Sequence, residues 1–148
     1  MSDGYMPVAK SVEWETPQDL FNKLNTEFNF TVDVAASDTN HKCLKYYTEQ
    51  TDGLKQNWRG ETVWCNPPYG KQIADWVKKA HDTVVGDHTG TTTCVFLIPA
   101  RTDVRWFHDY VYDKSEIRFL KGRLKFNGSK TAAPFPNMVV IFRSKRTP

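Results

Sequence analysis

The sequence predicts an α/β fold, a three-layer sandwich around a mostly parallel sheet whose last strand is antiparallel. Three observations predict it. Helical and strand periodicities alternate along the chain without an internal repeat. One segment, "TTTCVFLIPA", is the most apolar of the strand-like runs, as a central strand covered on both faces must be. The last two apolar runs, "EIRFL" and "NMVVIF", have no helical pattern between them and are expected to be antiparallel neighbours.

The elements follow in order. In "TPQDLFNKLNTEF", Thr16 is placed as a helix N-cap, Pro17 at the first helical position and Asp19 three residues after the cap. Leu20, Phe21, Leu24 and Phe28 supply that helix's apolar stripe. "FNFTVDVAAS" reads as a strand through the alternating Phe30, Val32 and Val34, with a polar loop opening at Ser37. "CLKYYT" is read as a second short strand and "ETVWC" as a third. "KQIADWVKKAHDTVV" has helical spacing, with Ile73, Trp76, Val77, Ala80 and Val84 on one face, and "GDHTG" closes it. After the central strand, "TDVRWFHDYVYD" reads as a shorter helix turning Val104, Phe107 and Val111 inward. A polar stretch rich in Gly, Pro and Lys separates the two final strands.

A chain of 148 residues is long enough to bury one core as a single domain. No apolar run approaches the roughly 18 residues of a membrane span, and "MSDGYMPVAK" lacks the pattern of a signal peptide. Cys43, Cys65 and Cys94 lack metal-ligand spacing and suit reduced thiols in a cytosol. His41, His81, His88 and His108 show no ligand spacing either, so no metal is expected. The net charge of +3 hides an asymmetry: residues 1–113 carry 11 Lys/Arg against 16 Asp/Glu, residues 114–148 carry 9 against Glu116 alone. Nucleic acid is the polyanion such an end would attract, and a solvated basic face is the other reading.

In open α/β sheets ligands sit at the carboxyl ends of the strands. The segments expected there are Asp33-Val34-Ala35-Ala36, Asn66-Pro67-Pro68-Tyr69 and Pro99-Ala100-Arg101. Two consecutive prolines make the second a stiff loop, with an amide on one side and an aromatic ring on the other. The plainest reading is a turn that ends a strand. The chemical reading is a pocket for an exocyclic nucleobase amine, whose nitrogen is a poor nucleophile because its lone pair is delocalised into the ring. The Asn66 side-chain oxygen and the Pro67 carbonyl are two fixed acceptors, one per N–H, and Tyr69 offers a face for stacking, worth about 1–3 kcal/mol.

Asn-Pro-Pro-Tyr after a strand resembles motif IV of the S-adenosylmethionine-dependent amino-methyltransferases. The run of "EWETPQDLF", "DVAAS", "DGLKQNW", "VWCNPPYG", "IPARTDVRWFH", "GRLKF" and "APFPNMVVIF" is similar to the small phage N6-adenine DNA methyltransferases. That resemblance covers residues 12–143 and implies a Rossmann-like methyltransferase domain there. Residues 1–11 and 144–148 are then tails, and 122–137 is a basic hairpin facing DNA. It implies S-adenosyl-L-methionine as cofactor and transfer of its methyl group to adenine N6, with Asn66, Pro67, Pro68 and Tyr69 as the catalytic loop. On the cofactor side it implies Thr16 and Pro17 at the helix start, Asp33 with the small Ala35, and Asp52 of "TDGL". Asp38 and Glu49 are weaker candidates for the ribose.

The first cofactor loop, "DVAASDTNHKC", departs from the wider superfamily in containing no glycine. The target base of double-stranded DNA must be flipped out, at a cost of a few kcal/mol. Arg123, Lys125 and Lys130 are the expected phosphate contacts, while Phe126 or Phe135 lines the pocket, wedges the gap or packs in the core. Arg101 and Asp103 lie near the same edge without an assigned role. RNA adenine, cytosine N4 and protein glutamine remain alternative substrates, and a nucleic-acid-binding module without catalysis remains a non-enzymatic reading. A monomer or homodimer in the cytoplasm of a phage's bacterial host, with a role in evading restriction, is what the resemblance implies.

Overall fold

The structure is a computed structural model that describes residues 15–126 and 131–148. Its centre is an open five-stranded sheet built from β1 (Val32–Asp33), β2 (Thr62–Cys65), β3 (Thr93–Pro99), β4 (Glu116–Phe119) and β5 (Asn137–Arg143), in the order β1-β2-β3-β5-β4. β1, β2 and β3 run parallel, and β5 is antiparallel to both of its neighbours, β3 and β4. The last strand therefore inserts between β3 and β4 instead of closing an edge. Its sequence allows this: Asn137–Phe142 is buried throughout, while β4 is half exposed along its length. β3 is central as expected, and every residue from Cys94 to Pro99 is buried.

Helix α1 (Gln18–Phe28) turns Phe21 and Leu24 inward and ends at Asn29, whose left-handed conformation (φ 57°) returns its N–H to the Asn25 carbonyl. Helix α2 (Ile73–Gly86) buries Ile73, Trp76, Val77, Ala80 and Val84, the stripe its spacing predicts. Trp64 of β2 packs against Phe21 and Phe30 with ring centroids 5.3 and 5.4 Å away. Phe96 of β3 instead meets Trp58 and Phe142, and Trp58 stacks on Trp76 of α2. Phe96 is in register with Cys65, so side-chain alternation puts Phe96 and Trp64 on opposite faces of the sheet. At the amino edge of β3 the buried Asp87 carboxylate accepts from the Thr89 and Thr91 N–H groups and from the Thr92 hydroxyl, which fixes the turn out of α2.

Three local expectations are revised. Thr16 does not cap α1: Pro17, in extended geometry (φ −56°, ψ 132°), precedes the first helical residue and no side chain caps the helix. "CLKYYT" forms no named strand but lies beside β1 through an isolated parallel bridge, Asp33 to Tyr46, with Asp33 N–H donating to the Lys45 carbonyl and Tyr47 N–H to the Asp33 carbonyl. The segment after β3 is helical as expected but only over 105–111, with Phe107–Val111 as a π-helical turn; Phe107 and Val111 are buried, and Val104 is half-buried ahead of the helix.

Strand direction brings the site together. β1, β2 and β3 all end at one edge of the sheet. β4 ends there too and β5 begins there, because Asn137 pairs with Pro99 and Phe119 with Met138. The segment between β4 and β5, including the basic residues Arg123 and Lys125, thus leaves from and returns to the edge that carries the Asn-Pro-Pro-Tyr loop.

Candidate active site

Asn66-Pro67-Pro68-Tyr69 follows β2 directly, and Gly70 completes the turn into α2. Its φ of 114° is open to glycine alone, and its carbonyl accepts the Ile73 N–H. Both candidate side chains of the loop, Asn66 and Tyr69, are anchored. Asn66 Nδ2 donates to Thr16 Oγ1 at 3.0 Å across 50 residues of sequence, and Thr16 is only 2% exposed. The Tyr69 hydroxyl donates to the Leu97 carbonyl at 3.2 Å and receives a longer contact, 3.4 Å, from Asn137 Nδ2. Burial pushes the Tyr69 phenol far above its ordinary range, so it remains a protonated donor.

The Tyr69 ring stands edge-on to Phe135 and Phe126, with centroids 5.5 and 6.3 Å away. Phe126 and Phe135 are both buried, so in this state they act as core packing around the tyrosine. Of the three expected phosphate contacts, Arg123 and Lys125 lie at this edge, and Lys130 lies outside the described residues. Arg123, Leu124 and Lys125 line a cleft of about 380 Å³ together with Pro17 and, from α1, Asp19, Leu20 and Lys23. Lys23 is a cation that sequence reading did not single out, since in α1 it is simply one polar position of an amphipathic pattern.

Of the other candidate cofactor residues, Asp33 ends β1 and Asp52 precedes the turn at Gly53. Asp33 is 4% exposed, and its two carboxylate oxygens accept from Ala35 N–H (3.3 Å) and Lys42 N–H (2.9 Å). Burial raises its pKa to about 6, against the lowering effect of those two N–H groups. Asp33 therefore closes the glycine-free loop from Val34 to Lys42 on itself, and the Ala35 amide is spent in the same closure.

Lys42 was absent from the expected site. Its side chain, 7% exposed, reaches the α1 start, donating to Gln18 Oε1 at 2.8 Å and approaching Glu15 at 3.7 Å. Nothing in "NHKC" distinguishes it from a surface lysine. Asp38 accepts from the Tyr46 hydroxyl at 2.9 Å, and the Tyr46 ring stacks on His41. Arg101 pairs with Asp103 at 3.5 Å on the exposed side of the edge.

The Asp52-Gly53 turn is seated against the end of β1. Asp52 adopts the left-handed conformation and its carboxylate accepts from Leu54 N–H at 3.1 Å. A Cβ on Gly53 would lie 2.0 Å from the Val34 carbonyl oxygen, so only glycine permits this approach. The Gly53 carbonyl accepts from Trp58 Nε1 at 2.9 Å. The Trp76 ring comes within 3.2 Å of that added Cβ through its Cη2 edge, and its buried Nε1 has no hydrogen-bond partner among the described residues. Among the described residues no group of three His, Cys, Asp or Glu could hold a metal ion, and no helix is long and apolar enough to cross a membrane.

An open α/β sheet with an amide-proline-proline-aromatic loop at its carboxyl edge is methyltransferase-like. Residues 4–148 match the DNA N-6-adenine-methyltransferase (Dam) family, and the chain belongs to that family. It is 31% identical over 113 residues to a DNA N-6-adenine-methyltransferase of Escherichia phage T1, an alignment covering 75% of this chain and 45% of the relative. The chain thus spans less than half the length of the curated relative it matches.

Proposed function

We propose that this chain transfers a methyl group from S-adenosyl-L-methionine to the exocyclic N6 of an adenine flipped out of double-stranded DNA. The observation that carries the reading is the anchored loop: Asn66 and Tyr69 are each held by a neighbouring element at the edge where strand ends converge. The opposite faces occupied by Trp64 and Phe96 support a Rossmann-like, three-layer arrangement.

The residues on the cofactor side fit an S-adenosylmethionine by the chemistry of their donors and acceptors. The buried Lys42 ammonium and the uncapped start of α1 suit its carboxylate, the Asp33 loop its amino end, and Asp52 its adenine amine. When bound, the cofactor supplies an electrophilic methyl group on a sulfonium.

Asn66 Oδ1 and the Pro67 carbonyl accept the two N–H groups of the target amine. This favours the pyramidal nitrogen and stabilises the positive charge that develops as it attacks. Pro67 and Pro68 hold those acceptors before substrate arrives, so little ordering entropy is lost at binding. Tyr69 bounds the base pocket. Arg123, Lys125 and Lys23 face the DNA backbone, where phosphate contacts offset the few kcal/mol of base flipping. No strong general base is needed, because the N6 proton becomes acidic only after methyl transfer and leaves to solvent.

The reading is tested by incubating the protein with labelled S-adenosylmethionine and unmethylated DNA or RNA, then digesting the nucleic acid to nucleosides. Label in N6-methyldeoxyadenosine is the expected result. Label confined to RNA, or in cytosine, would overturn it.

A further inference from the structure

We infer that Thr16 is a positioning residue for methyl transfer, one that holds the Asn66 side-chain amide in place for the target amine. The inference rests on the methyltransferase reading and gives Thr16 a different role from the cofactor contact that its place at the helix start implies. An asparagine amide has two nearly isosteric faces, an acceptor Oδ1 and a donor Nδ2. Only the acceptor is useful toward an exocyclic amine; turned by 180°, the amide would present N–H groups to N–H groups.

A hydroxyl can pair with either end of an amide, so a bond to one fixes where the amide sits. Asn66 Nδ2 donates to Thr16 Oγ1 at 3.0 Å, and Thr16 is almost wholly enclosed. With the nitrogen committed to that hydroxyl, Oδ1 is the amide atom turned away from it. A buried acceptor fixed to the start of α1 is harder to displace than a loop residue would be.

The backbone explains why Thr16 can do this. Pro17 is extended rather than helical (ψ 132°), which releases the Thr16 side chain from the capping position. The first turn is closed by other groups, with Asp19 Oδ1 accepting from Leu20 N–H and the Pro17 carbonyl from Phe21 N–H. The "ETP" segment is thereby a strut between α1 and the catalytic loop, and the cofactor's carboxylate is left to Lys42 and the helix-start N–H groups.

The test compares Thr16→Val, which keeps the shape and removes the hydroxyl, with Thr16→Ser, which keeps the hydroxyl. Steady-state kcat on unmethylated duplex DNA is measured beside the Kd for S-adenosylhomocysteine by calorimetry and the thermal midpoint of each protein. The expected result is a fall in kcat of about 10- to 100-fold in Thr16→Val. Thr16→Ser should return to within about threefold of wild type, and the Kd should change less than about twofold in both. A Thr16→Val protein with wild-type kcat overturns the inference. So does one whose Kd rises while kcat at saturating cofactor is kept, because Thr16 would then be a cofactor contact. A Thr16→Ser protein that is folded but as impaired as Thr16→Val also overturns it, since the hydroxyl would not be what matters. A folded wild type that methylates no DNA is a separate outcome: it refutes the methyltransferase reading itself.

Discussion

Replacing Gly53 by alanine tests whether the Asp52-Gly53 turn is held against the end of β1. The added Cβ would sit 2.0 Å from the Val34 carbonyl oxygen and 3.1 Å from its carbon. Real Cβ contacts essentially never fall below 3.0 Å, so the two backbones must part by at least about 1 Å. Neither partner is the end of a flexible side chain. The turn is tied down by the Trp58 Nε1 bond to the Gly53 carbonyl, and Val34 N–H is bonded to the Trp64 carbonyl in the sheet.

Overpacking of this kind costs about 1–3 kcal/mol, and weakening the two hydrogen bonds adds about 1 kcal/mol each. A loss of about 3–5 kcal/mol is expected, read as a fall in the urea midpoint at constant slope. Gly60→Ala is the control: Gly60 has φ 81° but nothing within 4 Å of its added Cβ, so only about 1 kcal/mol of backbone strain is expected. The reasoning fails if Gly53→Ala unfolds at the wild-type midpoint or costs no more than Gly60→Ala.

Other perturbations separate the parts of the site. Tyr69→Phe removes the bond to Leu97 and leaves Asn137 Nδ2 without that partner, so a loss of about 1–2 kcal/mol is expected by thermal unfolding; an unchanged midpoint would mean that the hydroxyl is not anchored. Changing Arg123 and Lys125 together to glutamine should reduce the steepness of log Kd against log salt by about two, since each phosphate contact contributes about 0.9; an equal slope would move the phosphate contacts elsewhere. Asp33, with its pKa raised to about 6 from 3.8, holds a proton more tightly folded than unfolded. Between about pH 4 and 6 its contribution to stability therefore falls as pH rises, by on the order of 3 kcal/mol in total. The stability difference between wild type and Asp33→Asn should shrink across that window, and a constant difference would show that the carboxyl titrates normally.

Much of this architecture was legible because periodicity and burial coincide. The α2 stripe from Ile73 to Val84 and the continuous apolar run of β3 needed no tertiary information, and the proline pair marked the loop. What stayed hidden was long-range. Thr16 looks like an N-cap locally, and only the extended Pro17 with a partner 50 residues away makes it a strut for Asn66. "CLKYYT" has strand composition, but β1 offers it only a short edge, so one bridge forms. Lys42 reads as a surface lysine until the loop closes over Asp33 and carries its side chain to α1. Asn137 reads as the first residue of a strand, and only β5's insertion beside β3 brings it to the Tyr69 hydroxyl. Gly53 reads as turn chemistry, whereas its reason for being glycine lies in the Val34 carbonyl.

The central claim is that the Asn66 loop methylates adenine in DNA. Its most direct test measures N6-methyldeoxyadenosine by mass spectrometry after wild-type and Asn66→Ala proteins act on unmethylated duplex DNA with S-adenosylmethionine. N6-methyldeoxyadenosine should accumulate with the wild type and fall at least about 100-fold with Asn66→Ala, whose thermal midpoint should stay within a few degrees of wild type. Undiminished methylation by Asn66→Ala, or none by a folded wild type, would contradict the claim.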